Sequence, residues 1–378
     1  MQIGCILDNY PRSKGNHFKM NMKSALAAAR AAFALLALFL FAAAGAAHAA
    51  PIAITDDSGR TVTFDKPAER AVVFNRYNAE FVRAVAGMGP IVGVDSWVTR
   101  DPTYWPNLRD GMLVGEGQRE PNYEAIVALE PDVVIFPRNG AWQEAIETLK
   151  PFGIPVLVLT GWDVLKHVSN IEAFGRLFAK EEQAARLNAF YTEHMDLLRQ
   201  RLAGAERKTV YLEEKTPFRS VLPGSGWHDM IEAAGGRNIF GDVDIANQPK
   251  AKGTVHNYEV DPEAVLAADP AIIVKLKPGT YPLQPADFTR AFFTEVQERP
   301  GFAELKAVKS GQVYHMNYYL AGGCSKMIGA LSIAKWLYPD RFADVDPDAV
   351  MKTWLEEYQG VSYPGRYWTS LKEARAAQ

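Results

Sequence analysis

The stretch that decides the fold is EEQAARLNAFYTEHMDLLRQRL, residues 181–202. Its apolar residues recur every three or four positions, which is typical of an amphipathic helix. The apolar face is formed by Leu187, Tyr191, His194, Leu198 and Leu202. Acidic residues lie early in the stretch and arginines late, as the helix dipole favours, and Gly204 is a suitable stop. Because strand and helix signals alternate on both sides, we interpret this helix as a rigid connector between two lobes.

Each flanking half contains a similar short phrase. EAIVALEPDVVIF at 124–136 and EAVLAADPAIIV at 263–274 both predict a short apolar helix that breaks at an acidic-Pro pair and leads into a strand. The repeat favours one architecture used twice. We therefore predict an α/β fold in which two Rossmann-like, parallel-sheet lobes are joined by a single long connecting helix, with the ligand cleft between the lobes. The expected boundaries are 50–180 for the first lobe, 181–204 for the connecting helix and 205–378 for the second lobe, which includes a closing helix.

Residues 1–49 have the pattern of a signal peptide. The run 25–46 is almost entirely Ala, Leu and Phe, and Ala47-His48-Ala49 has the small residues of a signal-peptidase site. We expect cleavage before Ala50 and export to the periplasm. A transmembrane anchor is the alternative. Because the first residues do not resemble a signal-peptide start, translation from Met20 or Met22 is a further possibility.

Charge and cysteine content exclude some classes of protein. The formal net charge of the 378-residue chain is −3, and the predicted leader carries more bases than acids, so its removal makes the protein more acidic. An acidic protein is poorly suited to binding nucleic acid. Cys324 is the only cysteine after the leader, so no internal disulfide is expected, and we interpret it as a small buried residue.

Several short motifs in order carry a family resemblance. They are the hairpin DSGR at 57–60, IVGV at 91–94, EPD at 130–132, AGGRN at 234–238, DPA at 269–271 and WLYP at 336–339. Together with the single connecting helix, they make the chain similar to class III periplasmic substrate-binding proteins of ABC importers. That family handles ferric siderophores, haem, vitamin B12 and related metal chelates.

The resemblance implies a binding protein without catalysis and without an intrinsic cofactor. It implies a monomer that captures a metal chelate and delivers it to an ABC permease dimer in the inner membrane. A ferric siderophore is the favoured ligand, with haem, vitamin B12 or another metal complex as alternatives. A bilobal chelatase-like enzyme and a periplasmic sensor partner are the competing functions. The sequence lacks a phosphate-binding loop, an H-E-x-x-H motif and, because of Pro223, a nucleophile elbow.

The candidate ligand contacts lie in loops that follow predicted strands, where the crevice of a parallel α/β sheet is lined. Aromatic rings offer flat apolar area for a chelate, and guanidinium groups pair with anionic oxygens. The predicted contacts are Arg76, Tyr77, Trp97, Arg138, Trp162, Trp227, His228, Tyr318 and Tyr319. For each tryptophan, core or lobe-interface packing is an equal alternative, and for Arg138 the alternative is a surface salt bridge.

The resemblance also implies a metal contact and a docking surface. Some siderophore binders complete an iron coordination shell with one His and one Tyr of the second lobe, which matches His228 with Tyr318 or Tyr319. The family docks to its permease through an acidic residue on each lobe. Glu80 is the expected residue on the first lobe and Asp229 or Glu232 on the second, with ordinary solvated helix acids as the alternative for the second pair.

Overall fold

A computed structural model gives the fold and describes residues 50–277, 281 and 287–377. The predicted signal peptide and the candidate starts Met20 and Met22 lie outside the described residues. None of the helices in the described ranges is long and apolar enough to cross a membrane.

Strands and helices alternate along the chain. In chain order the strands are β1 (Ile52–Thr55), β2 (Thr61–Phe64), β3 (Ala71–Val73), β4 (Ile91–Val94), β5 (Gly115–Gly117), β6 (Glu120–Pro121), β7 (Val133–Phe136), β8 (Val156–Val158), β9 (Lys208–Glu213), β10 (Arg219–Ser220), β11 (Gly236–Asn238), β12 (Gly253–Thr254), β13 (Asn257–Glu259), β14 (Ile272–Lys277), β15 (Val313–Asn317) and β16 (Trp368–Ser370). The α-helices are α1 (Arg76–Ala86), α2 (Ser96–Thr99), α3 (Tyr123–Ala128), α4 (Trp142–Leu149), α5 (His167–Leu177), α6 (Glu181–Leu202), α7 (Gly226–Ala233), α8 (Pro262–Ala268), α9 (Asp287–Glu298), α10 (Lys306–Lys309), α11 (Lys326–Leu337), α12 (Pro347–Thr353) and α13 (Leu371–Ala376).

The first lobe is built on a parallel sheet. Its strand order is β4-β3-β7-β8, and all of these pairs are parallel. Alternate residues of β7 enter different cores: Val133 and Ile135 pack on one face, and Val134 and Phe136 on the other. A strand covered on both faces needs apolar residues at every position, which explains its continuous hydrophobic run.

The second lobe has a mixed sheet rather than the purely parallel one that the sequence predicts. Its parallel centre is β9-β14-β15, and β11 also pairs in parallel with β9. Short antiparallel strands extend both sides: β10, β13 and β12 beyond β9, and β16 beyond β15. The α/β class and the two-lobe arrangement are confirmed, with these antiparallel edges as a correction.

The helix α6 runs without a break between the two sheets, over the range that the periodicity predicts. Leu187, Tyr191 and Leu198 are buried on its predicted apolar face. These residues belong to one hydrophobic cluster that also contains Phe81 of the first lobe and Met327 of the second. The apolar core therefore continues from one lobe into the other along the connector.

The repeated phrase forms the same local structure twice. The helices α3 and α8 are capped by Asn122 and Asp261, whose side chains each accept a hydrogen bond from a main-chain N–H of the first turn. Each helix is followed by an acidic residue with a positive φ, 45° at Glu130 and 39° at Asp269, directly before the proline. Since proline disfavours helical backbone in the preceding residue, both phrases end the helix at the same place and start a strand.

The C-terminal part returns to the first lobe. The predicted closing helix divides into α12 and a π-helical turn, Trp354–Tyr358. The next residue, Gln359, is buried; its side chain donates to the main-chain oxygen of Glu80 (3.1 Å) and accepts from Nε of Arg83 (2.8 Å). This segment is therefore a second connection between the lobes.

Candidate binding pocket between the lobes

The first-lobe wall of the pocket follows three strands of the parallel sheet. Tyr77 follows β3, Asn139 follows β7 and Trp162 follows β8. Tyr77 lies in the first turn of α1. Asn75 caps this helix, because its side chain accepts a hydrogen bond from the main-chain N–H of Tyr77 (3.0 Å). The indole Nε1 of Trp162 donates to Oδ1 of Asn139 (3.3 Å). The pocket thus lies at the carboxyl ends of the strands, as expected for this type of sheet.

The second-lobe wall starts at the N-terminus of α7. Ser225 caps this helix, and Gly226 and Trp227 are its first residues. Nδ1 of His256, in the turn between β12 and β13, lies 3.0 Å from the hydroxyl of Ser225. Nε1 of Trp227 donates to the main-chain oxygen of Ala321 (2.7 Å). These hydrogen bonds fix the serine, the imidazole and the indole around the same opening.

Lys326, the first residue of α11, completes the wall. Its side chain is buried, with 4% of the residue exposed. Burial lowers the pKa of Lys326 to about 7, although Asp229 and Asp163 act to raise it. Burial, and after it the positive charges of Lys326 and Arg119, lowers the pKa of His256 to about 4. At neutral pH the imidazole is therefore uncharged, and Lys326 is the titrating group of the wall.

The cavity has a volume of about 150 Å³. Its lining residues are Tyr77, Asn139, Trp162, Ser225, Gly226, Trp227, His256 and Lys326. The wall contains hydroxyl, amide, imidazole and ammonium groups together with three aromatic rings, and no carboxylate of the described residues lines it. Such a lining can hold a compact ligand that carries negative charge.

Three of the predicted ligand contacts, Tyr77, Trp162 and Trp227, lie in this wall. The sequence analysis did not select Asn139, Ser225, Gly226, His256 or Lys326. Asn139 follows a predicted strand, and Ser225 and Gly226 directly precede the selected Trp227; these were the available signals for them. His256 and Lys326 carried no local signal, because their position depends on contacts between distant parts of the chain.

Arg138 and Trp97 do not line the pocket. Arg138 forms a salt bridge with Asp163 (2.5 Å), and its guanidinium carbon lies 5.4 Å from the centre of the Trp162 ring. The salt bridge is the alternative that the sequence left open for Arg138. Trp97 is 59% exposed and stands beside Arg100, 5.3 Å from its guanidinium carbon.

Arg76 and Tyr319 belong to a buried cluster at the contact between the lobes. The guanidinium carbon of Arg76 lies 4.4 Å from the centre of the Tyr319 ring, and its Nη2 is 3.6 Å from a carboxylate oxygen of Glu80. The hydroxyl of Tyr319 donates to the carboxylate of Asp101. These side chains bind one another across the lobes rather than lining the cavity.

The predicted metal contacts have other partners in this structure. The hydroxyl of Tyr318 donates to the carboxylate of Glu214, and Nδ1 of His228 lies 3.3 Å from the amide of Asn238. Burial raises the pKa of both Tyr318 and Tyr319, which opposes the phenolate form that a metal contact requires. No group of three or more His, Cys, Asp or Glu side chains able to hold a metal occurs among the described residues. Metal contact by His228, Tyr318 or Tyr319 stays a prediction.

Glu80, the residue expected to dock to the permease on the first lobe, is not at the surface. The residue is 3% exposed, because α1 turns this face towards Arg76 and the C-terminal segment at Gln359. A carboxylate in this position does not reach a docking partner. In the second lobe, Glu232 pairs with Arg207 (2.5 Å) at the surface and Asp229 is partly buried, so their docking role stays a prediction.

A family model described as periplasmic binding protein matches residues 72–320. That range is more than half of the chain. This chain is a periplasmic binding protein. It is 27% identical to the molybdate-binding protein MolA of Haemophilus influenzae over 82% of this chain and 91% of that protein. It is also 27% identical to a cobalamin-binding protein of Halobacterium salinarum, over 59% of this chain and 58% of that protein.

A similar solved structure is that of the TroA-like periplasmic binding protein FepB of Veillonella parvula. It has a TM-score of 0.69 and 27% identity, and the match covers 84% of this chain and 99% of that one. The relatives are solute-binding proteins, and this periplasmic binding protein is likewise not an enzyme. The two lobes around the pocket are the architecture of that family.

Proposed function

We propose that this periplasmic binding protein captures a compact, metal-containing anion and delivers it to an ABC permease. The observation that supports this is the buried ammonium group of Lys326 in a pocket that no carboxylate of the described residues lines. Hydrogen-bond donors on both lobes would hold the anion's oxygens, and the N-terminus of α7 adds a favourable dipole. The relative named for molybdate binding matches most of this chain, which agrees with such a ligand.

The size of the cavity also favours a compact ligand. Its volume of about 150 Å³ is below the roughly 300–1,000 Å³ usual for pockets that bury drug-sized molecules. A tetrahedral metal oxyanion needs less space than that. A siderophore would need the lobes to separate further.

A ferric siderophore, favoured by the sequence, is the second candidate. The rings of Tyr77, Trp162 and Trp227 face the pocket and offer the flat apolar area that a chelate requires. The relative named for cobalamin binding, which matches 59% of this chain, agrees with a bulky metal complex as ligand. Haem and cobalamin are candidates on the same ground, because they too would use the flat apolar area of these rings.

Binding measurements separate the candidates. Purified protein is titrated by calorimetry with molybdate, tungstate, a ferric catecholate and a ferric hydroxamate, with sulfate as a metal-free tetrahedral control. We expect saturable binding of the metal oxyanions and weaker binding of the chelates. Tight binding of a ferric chelate without oxyanion binding would exclude the first candidate and support the second. Native mass spectrometry of protein from its own periplasm identifies the natural ligand.

We also propose that residues 1–49 direct export and are removed before Ala50. The support is the small-residue site after the apolar run at 25–46. N-terminal sequencing of the exported protein should begin at Ala50. Recovery of the apolar run in a membrane fraction would show an anchor instead.

A further inference from the structure

Lys326 occupies a position that is unfavourable for a positive charge. It is the first residue of α11, where the helix dipole is positive, and only 4% of the residue is exposed. Cations stabilise the C-terminal end of a helix and destabilise this one. Burial of a charge without a partner adds a further cost. An uncharged residue here would be more favourable for folding, so the position points to a role in binding.

In the part of the chain that the structure describes, the ammonium group has no counter-ion in direct contact. Nζ donates to the main-chain oxygen of Trp162, in the opposite lobe, at 2.5 Å. Among the described residues, no carboxylate forms a salt bridge with it within 4.0 Å. The nearby carboxylate of Asp163 is instead paired with Arg138 at 2.5 Å. One hydrogen bond leaves two of the three ammonium donors of Lys326 for a ligand.

Gly226 lets the main chain of α7 pack directly against this group. A Cβ atom at position 226 would lie 2.4 Å from Nζ of Lys326 and 2.5 Å from the main-chain oxygen of Trp162. Gly226 is also the first residue of α7, so its main chain brings the N-terminus of a second helix to the same point. The ammonium group and two positive helix ends therefore converge on one side of the cavity.

We propose that Lys326 is the specificity-determining residue of this pocket: it selects ligands by negative charge and takes up a proton when an anion binds. The proposal rests on the proposed function, because it requires an anionic ligand in this cavity. To that function it adds the residue that discriminates between ligands by their charge. It also adds a dependence of ligand capture on pH.

The direction of the pH dependence follows from proton linkage. Burial lowers the pKa of Lys326 to about 7, so part of the free protein lacks this proton at neutral pH. A bound anion stabilises the ammonium form and raises its pKa. Above pH 7 the complex therefore binds more protons than the free protein, and affinity falls as pH rises. One linked proton gives at most about a tenfold loss of affinity per pH unit.

The other charged groups around Lys326 do not account for such a change. Burial lowers the pKa of His256 to about 4 and, together with the charge of Lys326, that of His167 to about 3, so both stay neutral at and above pH 7. Asp163 is held in its pair with Arg138. Asp229 raises the pKa of Lys326, so Asp229→Asn should move the fall in affinity to lower pH without removing it.

Calorimetry with molybdate and tungstate tests the proposal, since both stay dianions throughout the range. Titrations run from about pH 6.5 to about pH 9, each in two buffers of different ionisation enthalpy, which counts the protons taken up. We expect wild-type protein to take up close to one proton per anion near pH 8. Lys326→Met should weaken binding at least about tenfold at pH 6.5 and bind without proton uptake. Lys326→Arg keeps the charge without the titration and should bind with little dependence on pH.

Lys335→Met is the matched control, because Lys335 lies on the same helix but bonds the main-chain oxygen of Val345, away from the pocket. It should behave like wild type. Binding without proton uptake in wild type, or equal affinity and pH dependence in Lys326→Met, would overturn the role of Lys326 and leave the proposed function standing. If wild type binds neither anion at any pH, both proposals fail. The wild-type proton count needs no variant, so a folding defect in Lys326→Met does not affect it.

Discussion

At the scale of single residues, burial determines what a charged side chain can do. Burial raises the pKa of Glu80, and the guanidinium groups of Arg76 and Arg83 act against this rise. The three residues lie along one face of α1, and Arg83 also donates to the main-chain oxygen of Tyr104 (2.6 Å). The carboxylate of Glu80 therefore offsets the positive charge of these guanidinium groups in the interface between the lobes.

Glu80→Gln should destabilise the protein, because it leaves the buried guanidinium group of Arg76 without its carboxylate partner. The loss of a partner from a buried ion pair costs about 3 kcal/mol. Urea unfolding of the purified protein measures the change. Glu232→Gln is the control: it removes the surface pair with Arg207, and we expect a change within about 1 kcal/mol. Equal stability of the two variants would contradict the buried pair.

His167 makes the fold sensitive to acid. It is fully buried between the rings of Phe81 and Tyr191, and burial lowers its pKa to about 3. Since the unfolded chain binds this proton near pH 6.5, stability should fall as pH drops from about 6.5 towards 3, by up to about 1.4 kcal/mol per pH unit for this group.

His167→Phe should flatten that dependence, while it costs about 1 kcal/mol at pH 7 through the lost hydrogen bond to the Gly161 oxygen. Urea midpoints at several pH values measure both effects. Ile171→Val, a buried change on the same helix, should lower stability by a constant amount at every pH. An unchanged pH dependence in His167→Phe would assign the acid sensitivity to other groups.

At the scale of elements, the loop after β15 packs against the first turn of α1. A Cβ atom at Gly322 would lie 2.3 Å from the ring of Tyr77, so only glycine allows this contact between the lobes. Tyr77 also lines the pocket. The loop therefore positions one wall of the site from the opposite lobe.

Gly322→Ala should displace Tyr77, destabilise the protein by about 1–3 kcal/mol and weaken ligand binding. Gly89→Ala, where nothing lies within 4 Å of the added Cβ, is the control and should have little effect. In a Tyr77→Ala background the added methyl group meets no ring, so the cost of Gly322→Ala should largely disappear. An undiminished loss of stability from Gly322→Ala in that background would mean that the methyl group clashes with other atoms.

The elements that sequence predicts well are those with a strong local pattern. The strand predicted at the end of the phrase 124–136 forms as β7, and the periodic stretch 181–202 forms the helix α6. Strands of two or three residues at the edges of the second sheet, such as β10 and β12, are too short to show a period of two. Their pairing depends on neighbours far along the chain.

The residues of the site divide in the same way, into those with a local sequence signal and those placed by distant contacts. The rule that ligands bind beyond the carboxyl ends of parallel strands selected Tyr77 and Trp162. It also selected Trp97 and Arg138, because it does not say which side chain of a loop turns towards the cleft. Lys326 carried no such signal, and only the packing of α11 against the first lobe brings it into the pocket.

At the scale of the whole molecule, two segments connect the lobes. One is α6, whose bending would break main-chain hydrogen bonds. The other is the C-terminal segment, which is fixed to the first lobe at Gln359. The hydrophobic cluster that runs through both lobes adds a third constraint. We expect little relative movement of the lobes when a ligand binds.

Small-angle scattering profiles with and without molybdate should therefore nearly coincide. A clear contraction on binding would contradict this prediction. Gln359→Ala removes the hydrogen bonds that hold the C-terminal segment, and its unliganded profile should be broader than that of wild type. A conservative change at the surface of the same segment, Glu357→Gln, serves as the control.

The two indoles in the pocket have an optical consequence. Trp162 belongs to one lobe and Trp227 to the other, and both lie beside the ammonium group of Lys326. The emission of an indole responds to the charge and polarity around its ring. An anion that enters between these rings changes both surroundings at once, whereas the exposed Trp97 contributes a constant background. The protein thus carries an intrinsic fluorescent reporter of its own occupancy, which needs no dye and no labelling.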